Sequence, residues 1–114
     1  MLTACGAQAK QKSPYNEKCQ DAFESTIKVL DDVLAHRLDA DGAADKIERI
    51  AASIEDSDDT LQKSAKLSIN IIAGRLDNMA LRKRINNSDD YETSEYDNIK
   101  ETIESLKEKV DSYS

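Results

Sequence analysis

Apolar residues recur three or four positions apart in four stretches of this chain, and short polar segments separate the stretches. Such spacing places the apolar side chains on one face of an α-helix, whereas a half-buried strand would alternate them with polar ones. The first stretch follows Ser13 and Pro14, which suit the N-cap and the first helical position, and it runs to about Leu38. Its apolar face consists of Ala22, Phe23, Thr26, Ile27, Leu30, Val33 and Leu34.

The second and fourth stretches repeat this pattern. Asp41, in the segment LDADGAAD, is predicted to cap the second helix. The fourth stretch forms a heptad-like seam, which suits docking along a neighbouring helix. The apolar residues are Ala43, Ile47, Ile50, Ala51 and Ile54 in the second stretch, and Tyr96, Ile99, Ile103, Leu106, Val110 and Tyr113 in the fourth.

The third stretch is the longest, and it is apolar on more than one side. It is predicted to begin after an N-cap at Ser57 or Asp58. We expect a helix of this kind either to be the most enclosed element or to carry a second contact surface. Its main stripe is Leu61, Ala65, Ser68, Ile72, Leu76 and Met79, and the residues off that stripe are Leu67, Ile69, Ile71, Leu81 and Ile85.

The off-stripe residues of the third stretch have two interpretations. Packing against two neighbouring helices accounts for them, and we favour this interpretation. If they instead stay exposed together, they form a patch of the kind that binds another protein. The predicted partner site then comprises Leu67, Ile71, Leu81 and Ile85, with Tyr91 and Tyr96 as rim residues.

Length and composition favour a small helical domain. A chain of 114 residues with 39% hydrophobic residues fits one domain with one modest core. The absence of Trp, the single Pro and the three Gly disfavour a β-sandwich. Because the connections are short, consecutive helices are expected to be antiparallel neighbours. The sequence therefore predicts an all-α, single-domain antiparallel four-helix bundle over residues 14–114.

A short motif at the start of the chain bears on location. Residues 2–4, Leu-Thr-Ala, precede Cys5, and Gly6 follows it. This motif resembles the lipobox of bacterial lipoproteins, in which the cysteine thiol is alkylated with diacylglycerol and becomes the mature N-terminus. The resemblance is confined to these five residues. It implies that residues 1–13 are a signal-peptide remnant and flexible tether, with a lipid on Cys5 at the extracytoplasmic face of a bacterial membrane.

The segment RLDADGAADKIE matches much of the calcium-loop pattern of EF-hands. Arg37, however, occupies the first ligand position, where calcium requires an oxygen atom. We therefore interpret the segment as a turn between helices, in which Gly42 supplies backbone freedom.

Residues suited to catalysis or metal binding are sparse. His36 is the only histidine, and the sequence offers no second histidine or suitably placed cysteine as a co-ligand. The paired aspartates fall at predicted helix starts or on polar faces, where solvation is the expected role. The net charge of −7 disfavours nucleic-acid binding. The sequence predicts no enzyme activity, no cofactor, no metal, no small-molecule substrate and no nucleic-acid partner.

Cys19 lies on the apolar face of the first stretch. A disulfide between Cys5 and Cys19 is one option in an oxidising compartment. A lipid on Cys5 would leave Cys19 alone, and we interpret it as a small buried hydrophobic residue.

Two functions fit these features. The first is a small surface-tethered lipoprotein that acts as a non-catalytic protein-binding module, of the immunity, exclusion or secretion/conjugation accessory type. Its lipid would raise its effective concentration at the membrane. The alternative is a cytoplasmic helical adaptor or chaperone-like protein that starts at Met1 and binds a partner helix in a groove of the bundle.

Overall fold

The computed structural model describes residues 13–86 and 89–111, without the side chains of residues 86 and 89–93. The predicted tether with Cys5, and Tyr113 of the fourth stretch, therefore lie outside the described residues. Four α-helices account for most of the described chain, and no strand occurs within it. The helices are α1 (Glu17–Leu34), α2 (Ala40–Ala52), α3 (Thr60–Asn86) and α4 (Asp89–Lys107).

Contacts at the two ends of the bundle define the direction of the first three helices. At one end, Asn16 donates a hydrogen bond from Nδ2 to Oε1 of Gln62, over 3.0 Å. At the other end, the Arg84 guanidinium pairs with the Asp41 carboxylate. The start of α1 thus lies beside the start of α3, and the start of α2 lies beside the end of α3.

The fourth helix runs antiparallel to the first. Ser13 Oγ, at the entrance to α1, donates to the Lys109 carbonyl over 2.6 Å, just beyond α4. The Tyr96 hydroxyl, near the start of α4, lies 3.2 Å from His36 Nδ1, just beyond α1. The predicted all-α antiparallel four-helix bundle is confirmed. We refer to its two ends as the Ser13 end and the His36 end.

A single hydrophobic core joins the four helices. α3 packs most closely against α2, and α4 packs mainly against α1, whereas α3 and α4 touch each other little. The largest fully buried side chains are Phe23, Ile27, Leu30, Ile47, Ile54, Ile69, Leu106, Val110, Thr26 and Cys19. Thr26, the buried polar residue among them, donates a hydrogen bond from its hydroxyl to the Ala22 carbonyl over 2.8 Å. Its burial therefore leaves no hydroxyl donor unsatisfied.

The first helix starts later than its sequence predicts. Asn16 is the N-cap, and its side chain accepts the Cys19 N–H over 2.9 Å. The prediction of Ser13 as the cap, with Pro14 as the first helical residue, is wrong. The Ser13 hydroxyl is used elsewhere, because it bonds the Lys109 carbonyl at the end of α4.

The same helix also ends earlier, at Leu34 instead of Leu38. His36 adopts a left-handed conformation with φ of 61°, the position that glycine usually takes. Its N–H bonds the Val33 carbonyl, and the Arg37 N–H bonds the Asp32 carbonyl. This pair of bonds is the Schellman motif, which satisfies the last carbonyls of the helix and turns the chain toward α2.

The caps of α2 and α3 also differ from the predicted ones. Asp39 caps α2, where its carboxylate accepts the Gly42 N–H over 2.8 Å, so the prediction of Asp41 is wrong. Asp59 directly precedes α3, and its carbonyl accepts the Lys63 N–H over 3.0 Å, in place of the predicted Ser57 or Asp58. The residues of the calcium-like pattern from Asp41 onward lie on α2 itself, which makes this segment a helix start.

Replacing Asp39 with alanine is expected to lower the free energy of unfolding by about 0.5–2 kcal/mol, because α2 loses its capping acceptor. Asp41→Ala is the matched control. It removes an exposed ion pair with Arg84, which contributes about 0–1 kcal/mol. Urea unfolding followed by circular dichroism measures both changes. An equal or larger loss for Asp41→Ala would contradict the assigned cap.

Cys19 is a free thiol in the core, as predicted for a small buried hydrophobic residue. Burial raises the pKa of this thiol, and the nearby Asp59 carboxylate raises it further, because both disfavour the thiolate.

This raised pKa gives a pH-dependent contribution to stability. The folded state holds the thiol proton more tightly than the unfolded chain, so the contribution is complete below the ordinary thiol pKa of about 8.5 and is lost as pH rises through the folded value. We expect the free energy of unfolding to fall more for the native protein than for Cys19→Ala between about pH 8 and pH 10. Parallel losses for both proteins in urea unfolding would refute this prediction.

Candidate protein-docking surface

The third helix is apolar on two opposite sides. One side forms part of the core, and its buried residues are Ala65, Ile69, Ile72, Ala73, Leu76, Met79 and Ala80. Ile69, one of the off-stripe residues, is among them. The main stripe predicted from the sequence is therefore the core side of α3, broadened by one neighbouring row.

The other side of α3 faces solvent. Its large apolar residues are Leu67, Ile71, Leu81 and Ile85, whose exposed fractions are 62%, 49%, 52% and 72%. The favoured interpretation, in which these residues pack against two neighbouring helices, is wrong for these four. The physical reason is that α4 packs on α1 and leaves the outer side of α3 uncovered by the described residues.

The exposed apolar residues lie on one line along the helix. At about 100° per residue, positions 67, 71, 74, 78, 81 and 85 fall within about 40° of a common direction. We call Leu67, Ile71, Gly74, Asn78, Leu81 and Ile85 the exposed stripe. It is about 27 Å long at 1.5 Å per residue, and it lies opposite the direction of the buried Leu76.

The exposed stripe runs along the middle of the solvent-facing arc of α3. Between positions 60 and 82, every exposed residue of this helix lies within about 80° of the stripe's centre line. The buried residues lie within about 60° of the opposite direction. A partner helix can therefore lie along the stripe without displacing any described element.

Charged side chains border the exposed stripe. Lys63 and Asp77 lie on one flank, and Arg75 and Arg82 lie on the other. All four are exposed. Three of the four are cations in a protein whose net charge is −7, so the border of the stripe differs in sign from the molecule as a whole.

A groove continues the exposed surface on the side of Arg75. It has a volume of about 360 Å³ and lies between α3 and α4, where these two helices make few contacts. Ile71 and Ile72 line it from α3, and Thr102 and Leu106 line it from α4. The groove places partly apolar surface beside the middle of the stripe.

Of the two tyrosines predicted at the rim, only Tyr96 has a side chain within the described residues. The Tyr91 side chain lies outside the described residues. Tyr96 is half-buried at the His36 end, where its ring and that of His36 are 5.3 Å apart in an edge-to-face arrangement. Tyr96 also lines a cavity of about 440 Å³ with Met79 and Ala80, which lie on the core side of α3. The structure therefore places Tyr96 apart from the exposed stripe.

Metal sites, reactive thiols and membrane-spanning helices each place further requirements on the described residues. Within residues 13–86 and 89–111, no group of three or more His, Cys, Asp or Glu side chains is arranged to hold a metal ion. Cys19, the thiol whose pKa is raised by burial, is enclosed in the core. Among the described segments, no helix combines the length and apolar character that crossing a bilayer requires.

Sequence reasoning identified the four large apolar residues of the exposed stripe but missed Gly74 and Asn78. A signal for both was present, since they continue the alternating spacings of four and three between Ile71 and Leu81. Neither residue is hydrophobic, so the apolar pattern does not include them.

Comparison with known proteins gives no relative for this chain: no protein-family model, no curated protein and no solved structure matches it.

Proposed function

We propose that this protein is a non-catalytic protein-binding module, held by a lipid on Cys5 at the extracytoplasmic face of a bacterial membrane. It docks a helix of another protein molecule along the exposed stripe of α3. The observation that carries the proposal is that the four large apolar residues exposed in the described part of the chain align on one line, opposite the core side of the same helix.

The pattern of the exposed stripe matches what a docked helix needs. Helix-in-groove recognition uses apolar anchors at spacings of three and four, and the exposed stripe repeats these spacings over five intervals. Isolated exposed apolar residues are common on soluble proteins, whereas larger exposed apolar patches mark interaction surfaces. On the stripe, Leu67 and Ile71 form one exposed apolar pair and Leu81 and Ile85 form another. The partner we propose is therefore an amphipathic helix whose apolar residues are spaced in the same way.

The lipobox-like motif supports the proposed location. Ser13 lies beside the end of α4, close to the start of α3. A tether to Cys5 would hold this end of the bundle toward the membrane, and the exposed stripe would then extend away from the surface. Anchoring would raise the local concentration of the module for partners on the same membrane.

Mass spectrometry of the protein from its native host tests the anchor. We expect Cys5 to be the mature N-terminal residue and to bear diacylglycerol. An unmodified Cys5 thiol in a chain that retains Met1 would contradict the lipoprotein assignment. That result would favour the alternative, a cytoplasmic adaptor that binds a partner helix in the groove between α3 and α4.

Photo-cross-linking in the living host tests the docking surface. A photo-reactive residue in place of Leu81 is expected to give an adduct of discrete mass. Ile71→Glu should abolish this adduct, because it places a charge in the apolar contact. Ser25→Glu, on the exposed side of α1, is the matched control and should leave the adduct unchanged. Equal adduct yields from both variants would refute the assigned surface.

A further inference from the structure

We infer that the helix docked on the exposed stripe is α3 of a second copy of this chain, aligned parallel and in register. The inference rests on the proposed docking surface and names its occupant. The result is a symmetric dimer whose two-fold axis runs along the paired α3 helices.

The exposed stripe has the residue pattern of a parallel two-stranded coiled coil. Written as a heptad, its a positions are Ile71, Asn78 and Ile85, and its d positions are Leu67, Gly74 and Leu81. Isoleucine at a with leucine at d favours two parallel strands. A single asparagine at an a position fixes the register and the oligomeric state. The apolar a positions, both apolar d positions and the one asparagine all agree with this pattern.

The flanking charges distinguish parallel from antiparallel pairing. In the parallel arrangement, each g position faces the following e position of the other copy. Asp77 then faces Arg82 of the second copy, and Asn70 faces Arg75, so no like charges meet. In the antiparallel arrangement centred on the stripe, Arg75 faces its own counterpart and Asp77 faces its own. The charges therefore select the parallel pair.

The placement of the chain ends agrees with this choice. Ser13 and the start of α3 lie at the same end of the bundle. In a parallel pair both tethers leave from one end, so both lipids can enter the same membrane. An antiparallel pair would direct the two tethers to opposite ends, roughly the 27 Å stripe length apart or more.

Gly74 lowers the affinity between the two copies. It occupies a d position, and a Cβ added there would meet no atom within 4 Å. The central d layer therefore lacks side-chain contacts between the copies, and the stripe covers fewer than three heptads. We expect weak pairing in solution, which tethering to one surface would strengthen.

Sedimentation velocity over a range of concentrations tests the pairing, using the full chain with Cys5→Ser. We expect a concentration-dependent dimer, which Ile71→Glu converts to a monomer and Ser25→Glu leaves unchanged. Gly74→Leu should lower the dissociation constant by about tenfold or more, because it adds an apolar side chain from each copy. Circular dichroism checks that each variant keeps its helices.

Disulfide trapping tests the orientation. With Cys5→Ser in place, Ile85→Cys should form an intermolecular disulfide, because residue 85 faces residue 85 in a parallel pair. The matched antiparallel probe mixes Leu67→Cys chains with Ile85→Cys chains, and it should give no disulfide between residue 67 and residue 85.

Three outcomes would overturn the inference. One is a monomer up to about 1 mM, the effective concentration that a short tether provides. Another is a dimer that Ile71→Glu does not weaken, and the third is a disulfide between residues 67 and 85 without one between two copies of residue 85. If the purified protein stays monomeric while Ile71→Glu still removes an adduct with a different protein in the host, the inference fails and the proposed docking function stands. If Ile71→Glu removes neither the dimer nor the adduct, both the inferred dimer and the proposed docking surface are refuted.

Discussion

Replacing Phe23 with alanine is expected to lower the free energy of unfolding by about 3–5 kcal/mol, which is a large part of the total stability of a small domain. Phe23 has no solvent exposure and is one of the largest fully buried side chains. Its ring meets that of Tyr15 edge to face, with 5.0 Å between the centroids. The Lys109 ammonium also lies 5.8 Å from the Phe23 ring centre. Removing the ring leaves a cavity where α1, α4 and the segment before α1 meet.

Urea unfolding measures this loss as a lower midpoint with an unchanged slope. Phe23→Leu is the matched control, since it keeps most of the apolar volume and should cost less than half as much. A loss below about 1 kcal/mol for Phe23→Ala would mean that the core collapses around the gap or that Phe23 packs less tightly than described.

The second large effect is expected at Ala73, on the core side of α3. α2 and α3 pack more closely than any other pair of helices. Each of the two helices has three alanines on its buried face. These alanines are Ala43, Ala44 and Ala51 on α2, and Ala65, Ala73 and Ala80 on α3. Small side chains let two helices approach closely, so a larger one has no room. Ala73→Leu is expected to cost about 1–3 kcal/mol of unfolding free energy.

The adjacent residue provides the control with the opposite sign. Gly74 lies on the exposed side of the same helix, with open space where a side chain would extend. Gly74→Ala should raise the free energy of unfolding by about 0.5–1 kcal/mol, because glycine is unfavourable inside a helix. Chemical unfolding at low protein concentration, where a dimer does not contribute, compares the two variants. Similar losses at both positions would contradict the assignment of buried and exposed sides.

Periodicity, together with the short connections, was sufficient to predict four helices in an antiparallel bundle. Each stretch of apolar residues became one helix, and residues such as Ile47 and Ile103 lie in the core as their spacing indicates. The N-cap residues were harder to predict, because several residues suited to capping occur within a few positions of each helix start. Long-range contacts decided among them: Ser13 is engaged by Lys109, and Asp41 is engaged by Arg84.

The exposed stripe could be predicted only as one of two alternatives. Ile69 and Ile71 are chemically identical and two positions apart, yet one is fully buried and the other half exposed. Which side of α3 is covered depends on where α4 packs, and the apolar seam of α4 fits α1 and α3 equally well by spacing. That choice is made by complementarity of shape across the whole core, which periodicity does not encode.

The attachment of Ser13 to the end of α4 has a mechanical consequence. The Ser13 hydroxyl bonds the Lys109 carbonyl, the Ser13 N–H bonds the Asp111 carboxylate, and the Asp111 N–H bonds the Gln20 side chain. A force applied through the residues before Ser13 would therefore act on α1 and α4 together. It would not unfold α1 separately from its N-terminal end. Trimming the chain after Lys107 would remove this fastening and let a pull unravel α1 one turn at a time.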